Sequence, residues 1–191
     1  SMGKVDAWLS WLAPRRCVLC NAPSGSCLVC MPCAGDLPWL APPLPGRGFF
    51  AALAYEYPVD RLVQGAKFHR RLHQARALGE LLGMALAARP RPQPVPELLV
   101  PVPLHARRLA ERGYNQALEI ARPVAERLGL VLAPSLARRV VATAAQTGLS
   151  RAARRRNLRG AFVAGGCAGR RVAIVDDVIT TGSTAAALLR A

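Results

Sequence analysis

Acidic residues are scarce in this chain. Eleven aspartates and glutamates stand against 26 lysines and arginines in 191 residues, a formal net charge of +15. Lysine is scarcer still: only Lys4 and Lys67 occur, so arginine carries nearly all the positive charge. Aromatic residues reach 5%, which limits base stacking. No apolar run approaches the roughly 18 residues of a membrane span, so membrane insertion is not expected. Residues 7–13 are too short and too amphipathic for a signal peptide and lack a small-residue cleavage site. The expected location is cytoplasmic. There is no G-x-x-x-x-G-K-[ST] loop, and the glycines of "GGCAG" precede a strand where a dinucleotide fingerprint would follow one. Three scattered histidines assemble no Ser, His and Asp constellation, and His69 and His73, four apart on an expected helix, read as surface side chains.

What is present is a core-forming chain with an uneven charge. Hydrophobic residues make up 52%, which argues against disorder. From Arg127 to Val175 there are ten arginines and no acid. Such a stretch carries a positive field that attracts phosphorylated ligands or nucleic acid.

Composition divides the chain in two. Residues 1–45 hold a short amphipathic helix and five of the six cysteines, and a proline-rich joint, "APPLPGRG", leads into residues 46–191. The second part reads as a strand in "FFAALAYEY", a helix over 60–88, a strand "ELLVPVP", a helix "GYNQALEIARPVAERLG", strands "AFVA" and "RVAIVDD", and a last helix from Gly182. Strands alternating with helices predict an α/β domain with a parallel sheet. Such a sheet ordinarily continues to a further strand, so the chain is expected to stop short of its natural end at Ala191.

Cys17-Val-Leu-Cys20 and Cys30-Met-Pro-Cys33 are two C-x-x-C pairs, a spacing that turns four sulfurs onto one tetrahedral ion. Cys27 makes a competing C-x-x-C with Cys30; four ligands suffice, and Cys27 is taken as the spare. A disulfide or redox dithiol is the alternative, disfavoured by a reducing cytosol and the lack of a thioredoxin-like context. The expected ion is structural Zn²⁺, and lone Cys167 reads as an inert thiol.

The stretch "VAIVDDVITTGST", residues 172–184, runs four core residues into a carboxylate pair and a hydroxyl-rich turn. A strand of this kind delivers Asp176 and Asp177 to the carboxyl end of the sheet. Thr180, Thr181, Gly182, Ser183 and Thr184 then offer N–H groups and hydroxyls to a phosphate. Two carboxylates that accept from a diol, beside a phosphate cradle, fit a ribose 5-phosphate. The bland reading, a helix cap beside solvated aspartates, explains a bare "DD" better than it explains all thirteen residues.

That stretch resembles the phosphoribosyl pyrophosphate (PRPP) motif of type I phosphoribosyltransferases. Together with the cysteine ribbon, "PVPLHARRLAERGYNQA" and "RRVVATAAQTGLSRAARRRNLRGAF", it resembles the ComF family of zinc-ribbon, phosphoribosyltransferase-like proteins associated with DNA uptake in natural transformation. The resemblance implies a type I phosphoribosyltransferase-like parallel sheet with helices on both faces, preceded by a zinc ribbon. It implies that Asp176 and Asp177 hold the ribose hydroxyls and that Thr180 to Thr184 wrap the 5-phosphate. His105, Arg107, Arg108, Arg112 and Gly113 would form the pyrophosphate-side loop, within a pattern running on through Tyr114, Asn115 and Gln116. Arg139, Gln146, Arg151, Arg154, Arg155, Arg156 and Asn157 would belong to a mobile loop facing pyrophosphate or nucleic acid. Arg112, Arg139 and Arg154 are the expected catalytic groups if a reaction occurs. Mg²⁺ would accompany PRPP, and the expected macromolecular partners are single-stranded DNA and the DNA-uptake translocase of the competence machinery.

Three functions follow from the resemblance: a PRPP-binding accessory to DNA uptake, a transferase moving ribose 5-phosphate to an unidentified nitrogen acceptor, or a PRPP-sensing scaffold. In the second, residues 49–96, with Tyr55, Tyr57, Lys67, Phe68 and His69, would line the acceptor pocket. The chain carries no glutaminase module, so ribosylamine synthesis from glutamine is not expected of it alone.

Overall fold

The computed structural model describes residues 15–40, 48–90, 95–142, 158 and 160–191. It opens with an antiparallel ribbon, β1 (Arg15–Arg16) and β2 (Pro23–Gly25), followed by α1 (Met31–Gly35). The N-terminal helix expected at residues 7–13 lies outside the described residues.

Residues 49–57 form no strand. They make one isolated antiparallel bridge, Leu53 with Trp39, flanked by Leu40 N–H to Ala52 O and Ala54 N–H to Pro38 O. The partner segment includes Pro38, whose nitrogen cannot donate to a ladder. The helix expected over 60–88 is two helices, α2 (Val59–Phe68) and α3 (Leu72–Ala87). They part at Arg70, held at φ +52, a left-handed conformation that ends a helix. His69 caps the first helix and His73 lies in the second, both exposed.

The strand β3 (Leu98–Pro101) leads through α4 (Ala106–Arg112) and α5 (Gln116–Leu128) to β4 (Val131–Leu132). A 3₁₀ turn, Pro134–Leu136, then β5 (Ala137–Arg139), β6 (Phe162–Ala164), β7 (Val172–Val175) and α6 (Ser183–Leu188) complete the described elements. The main sheet has the order β4-β3-β7, with both pairings parallel. All four residues of the central β3 are buried, as a strand covered on both faces requires. Its proline is the last residue, and the next residue takes up the pairing, Val102 N–H donating to Val175 O at 2.8 Å.

β6 was expected in the parallel sheet and instead pairs antiparallel with β5 in a separate ribbon. Only residues 165–171 separate it from β7, and a parallel crossover needs about a dozen or more.

Helices α3 and α5 pack so closely that a Cβ on Gly79 would stand 2.3 Å from Ile120 O. Their core joins Leu62, Leu81, Ile120 and Val124 with residues of the cysteine segment, Cys17, Val29, Cys30 and Leu37. Glu80 on α3 fastens that segment: its Oε2 accepts from Leu28 N–H at 2.7 Å, and its Oε1 lies 3.5 Å from Arg15. A second cluster, including Val100, Ala117, Phe162 and Leu188, fills the space between the sheet, the β5–β6 ribbon and α6. No helix among the described residues is long and apolar enough to cross a membrane.

Candidate functional site

The register of β7 on β3 runs from Val172 opposite Leu98 to Val175 opposite Pro101. Asp176 and Asp177 therefore leave the sheet at its carboxyl end, the ligand-binding end of parallel sheets. The two carboxylates are held differently. Asp177 Oδ1 lies 2.9 Å from Lys67 Nζ, and Oδ2 accepts from Gln116 Nε2 at 2.9 Å; the side chain is 7% exposed. Asp176 Oδ1 accepts from the Asp177 backbone N–H at 2.9 Å. Burial, and then the charge of Asp177, push the Asp176 carboxyl up to about 7, against the pull of the Asp177 amide, Lys67 and Arg139.

The hydroxyl-rich turn follows directly. Thr181 Oγ1 and Ser183 Oγ share a hydrogen bond of 2.7 Å, and Gly182 takes φ +69 to start α6. Phe49 packs on Gly182, where an added Cβ would meet the ring at 2.8 Å. Asp176, Thr180, Gly182 and Thr184 line a cleft of about 40 Å³, room for roughly three waters or one phosphoryl group.

Cations stand around the pair. Burial lowers the Arg112 guanidinium from its ordinary value, with Asp177 opposing and Arg108 adding to the shift. Burial and Arg108 do the same to Arg139, with Asp176 opposing. Arg112 is thus within electrostatic reach of Asp177, Arg139 of Asp176, and Arg108 of both arginines. Arg139 stacks over Phe162 at 5.5 Å and forms a bridge with His105. His105 caps α4 through Nδ1, accepting from Arg107 N–H at 3.2 Å, and Gly113 closes the helix at φ +82. Arg107 pairs with Glu111 at 3.1 Å, its side chain 80% exposed. Gln146, Arg151, Arg154, Arg155, Arg156 and Asn157 lie outside the described residues.

One contributor was assigned elsewhere by sequence reasoning. Lys67, placed in an acceptor pocket, sits on the carboxylate pair. Its segment is stitched to the α4–α5 junction: Tyr114 OH donates to Ala66 O, Arg112 lies 5.6 Å over the Phe68 ring, and Arg70 donates to Glu111 O at 3.2 Å. The available signal was lysine itself, used at only two positions in a chain built on arginine.

At the other end, the sulfurs of Cys17, Cys20, Cys30 and Cys33 all lie within 4.8 Å of one another, and Cys27 stands outside the group. A tetrahedral zinc with Zn–S bonds near 2.3 Å has sulfurs about 3.8 Å apart, so this donor set fits a structural metal ion such as zinc. Burial would raise the Cys17 thiol, but backbone N–H groups of Cys20, Cys30 and Leu19 bring it down to about 6. Neighbouring sulfurs, Cys20 first, push Cys33 well above the ordinary thiol range. One thiolate thus forms readily and the next is opposed by crowding, which is the situation a dication relieves. Cys167 is half-buried and apart.

No family model matches the chain. Curated relatives do. The DNA utilization protein YhgH of Salmonella typhi is 38% identical over 173 residues, covering 89% of this chain and 74% of the relative. The protein of the same name from Escherichia coli O157:H7 is 36% identical over 200 aligned positions, 91% of this chain and 88% of the relative. Competence protein F of Haemophilus influenzae is 40% identical over 136 residues, 68% of this chain and 59% of the relative. With identity of this order sustained over most of both sequences, the chain belongs to the ComF family, that of Competence protein F and DNA utilization protein YhgH.

Proposed function

We propose that the protein supports DNA uptake and binds PRPP at the carboxyl end of β7, on a type I phosphoribosyltransferase-like fold. The relatives' names, competence and DNA utilization, support the first part. One observation carries the second: a cleft of phosphoryl size is lined jointly by Asp176 and by Thr180, Gly182 and Thr184. The turn takes the 5-phosphate and the carboxylate side the ribose hydroxyls. Arg108, Arg112 and Arg139 face the pyrophosphate with its Mg²⁺. Single-stranded DNA follows the basic surface, and its affinity falls steeply with salt because phosphate contacts release counterions.

Calorimetric titration with PRPP in excess Mg²⁺ tests the reading. Saturable binding is expected of the wild type, and Asp176→Asn/Asp177→Asn, checked for folding, is expected to lose it. A folded, zinc-loaded wild type that takes up no PRPP would refute the site.

Two guanidiniums within reach of the carboxylates, Arg112 and Arg139, with Arg108 beside them, favour a second reading, transfer of the ribose 5-phosphate to a nitrogen acceptor. Cations in a water-poor site stabilise a departing pyrophosphate. Pyrophosphate release on adding acceptors, absent without them, distinguishes transferase from binding protein.

A further inference from the structure

The adjacent aspartates are alike in sequence and unlike in space. Both oxygens of Asp177 are taken, one by Lys67 and one by Gln116, each at 2.9 Å. Gln116 is 5% exposed and anchored on α5, while Lys67 belongs to α2; the side chain of Asp177 thus ties two helices to the end of β7. Asp176 lines the cleft with Thr180, Gly182 and Thr184; Asp177 does not. One oxygen of Asp176 accepts from the Asp177 amide, and the residue lies in the wall of the cleft.

We propose that the pair divides its work: Asp176 alone takes the ribose hydroxyls, and Asp177, clamped by Lys67 and Gln116, is a positioning residue that fixes the backbone from which Asp176 projects. This rests on the ribose phosphate reading above and goes beyond it. A ligand hydroxyl reaching Asp177 must displace a charged or buried partner, and a displaced Lys67 would leave an ammonium in a partly buried position. A hydroxyl reaching Asp176 meets a carboxylate that already lines the cleft, with no lysine and glutamine clamp of the kind that holds Asp177. The amide of Asp177 also donates to Asp176, so holding the second residue sets the orientation of the first. Lys67 thereby acts on the ligand through Asp177 without touching it.

The test compares ribose 5-phosphate with 2-deoxyribose 5-phosphate, which differ by one hydroxyl. The wild type should prefer the first by about tenfold, the worth of a hydrogen bond to a charged group. Asp176→Asn should lose that preference, while the 5-phosphate still binds. Lys67→Met/Asp177→Asn removes both charges of the clamp together, so no unpaired ion remains; it should bind more weakly overall yet keep the preference. A purely structural lesion lowers both affinities and leaves their ratio alone for either aspartate, so the Asp176→Asn ratio carries the decision. Loss of the preference in the Lys67→Met/Asp177→Asn variant would overturn the proposal, because Asp177 would then be touching the diol. Should that variant not fold, Lys67→Arg/Asp177→Glu keeps the charges at altered reach, with retention expected and loss again overturning. A wild type that binds PRPP without preferring ribose overturns the division of labour and spares the PRPP site; a wild type that binds none of the three ligands overturns both.

Discussion

Asp176 reports its surroundings through stability as well as through ligands. Its carboxyl is raised to about 7 by burial and by Asp177, whereas an unfolded aspartate titrates near 3.9. Between those values the folded protein holds more protons than the unfolded one. This contribution is therefore fully present below about pH 4 and is lost as pH rises through about 7. Denaturant unfolding of wild type and Asp176→Asn from pH 4 to 8 should show the wild type losing stability relative to the variant as pH rises; a constant difference would mean the carboxyl is unperturbed. The identity of the pair was legible in the sequence, because four apolar residues running into two acids can end only one way in a parallel sheet. Its asymmetry was not, because Lys67 reaches Asp177 across 110 positions of chain. Adjacent aspartates carry no mark of which one a distant helix will claim.

At the level of elements, β3, α5, β7 and α6 followed from periodicity and punctuation. The misreadings share a cause in tertiary context. Residues 49–57 have a strand-like composition but find a partner segment interrupted by Pro38, and one of them, Phe49, packs on Gly182 instead of joining a sheet. The 60–88 pattern keeps leucines near helical spacing from end to end, and the break at Arg70 involves neither glycine nor proline. The α3–α5 contact depends on Gly79, whose replacement would drive a methyl into the Ile120 carbonyl. Gly79→Ala should cost about 1–3 kcal/mol by overpacking, despite the roughly 1 kcal/mol alanine gains in helix propensity. Gly35→Ala, with nothing within 4 Å of the new methyl, should change stability by less than about 0.5 kcal/mol. Equal effects in chemical denaturation would show that the helices can separate freely.

Across the molecule, the cysteine segment is part of the main core. Cys17, Val29, Cys30 and Leu37 pack in one cluster with Leu62, Leu81 and Val124, and Glu80 grips the backbone at Leu28. A metal ion held by the four sulfurs would be tied to that core, so chelating it should destabilise the protein as a unit. A single cooperative transition is expected to fall by about 5–10 °C, what roughly 3 kcal/mol is worth in a chain of this size. Two separate transitions in calorimetry, with only the smaller one moving, would show a ribbon that unfolds on its own. The four clustered cysteines and their spacing were legible in the sequence, yet the proline-rich joint read as a boundary and gave no hint of Glu80 reaching across it.

The lysine clamp also changes how the protein answers to amine chemistry. Besides the chain's amino terminus, Lys4 and Lys67 are the only primary amines in the sequence, and Lys67 keeps 24% of its side chain exposed while bonded to Asp177. A neutral acyl group on that nitrogen would cancel the charge and leave the carboxylate with Gln116 alone, a change that replacing an arginine-borne partner could not suffer under the same reagent. Mild acylation followed by peptide mapping thus becomes a clock for the opening of the ion pair, with Lys4 as its internal reference.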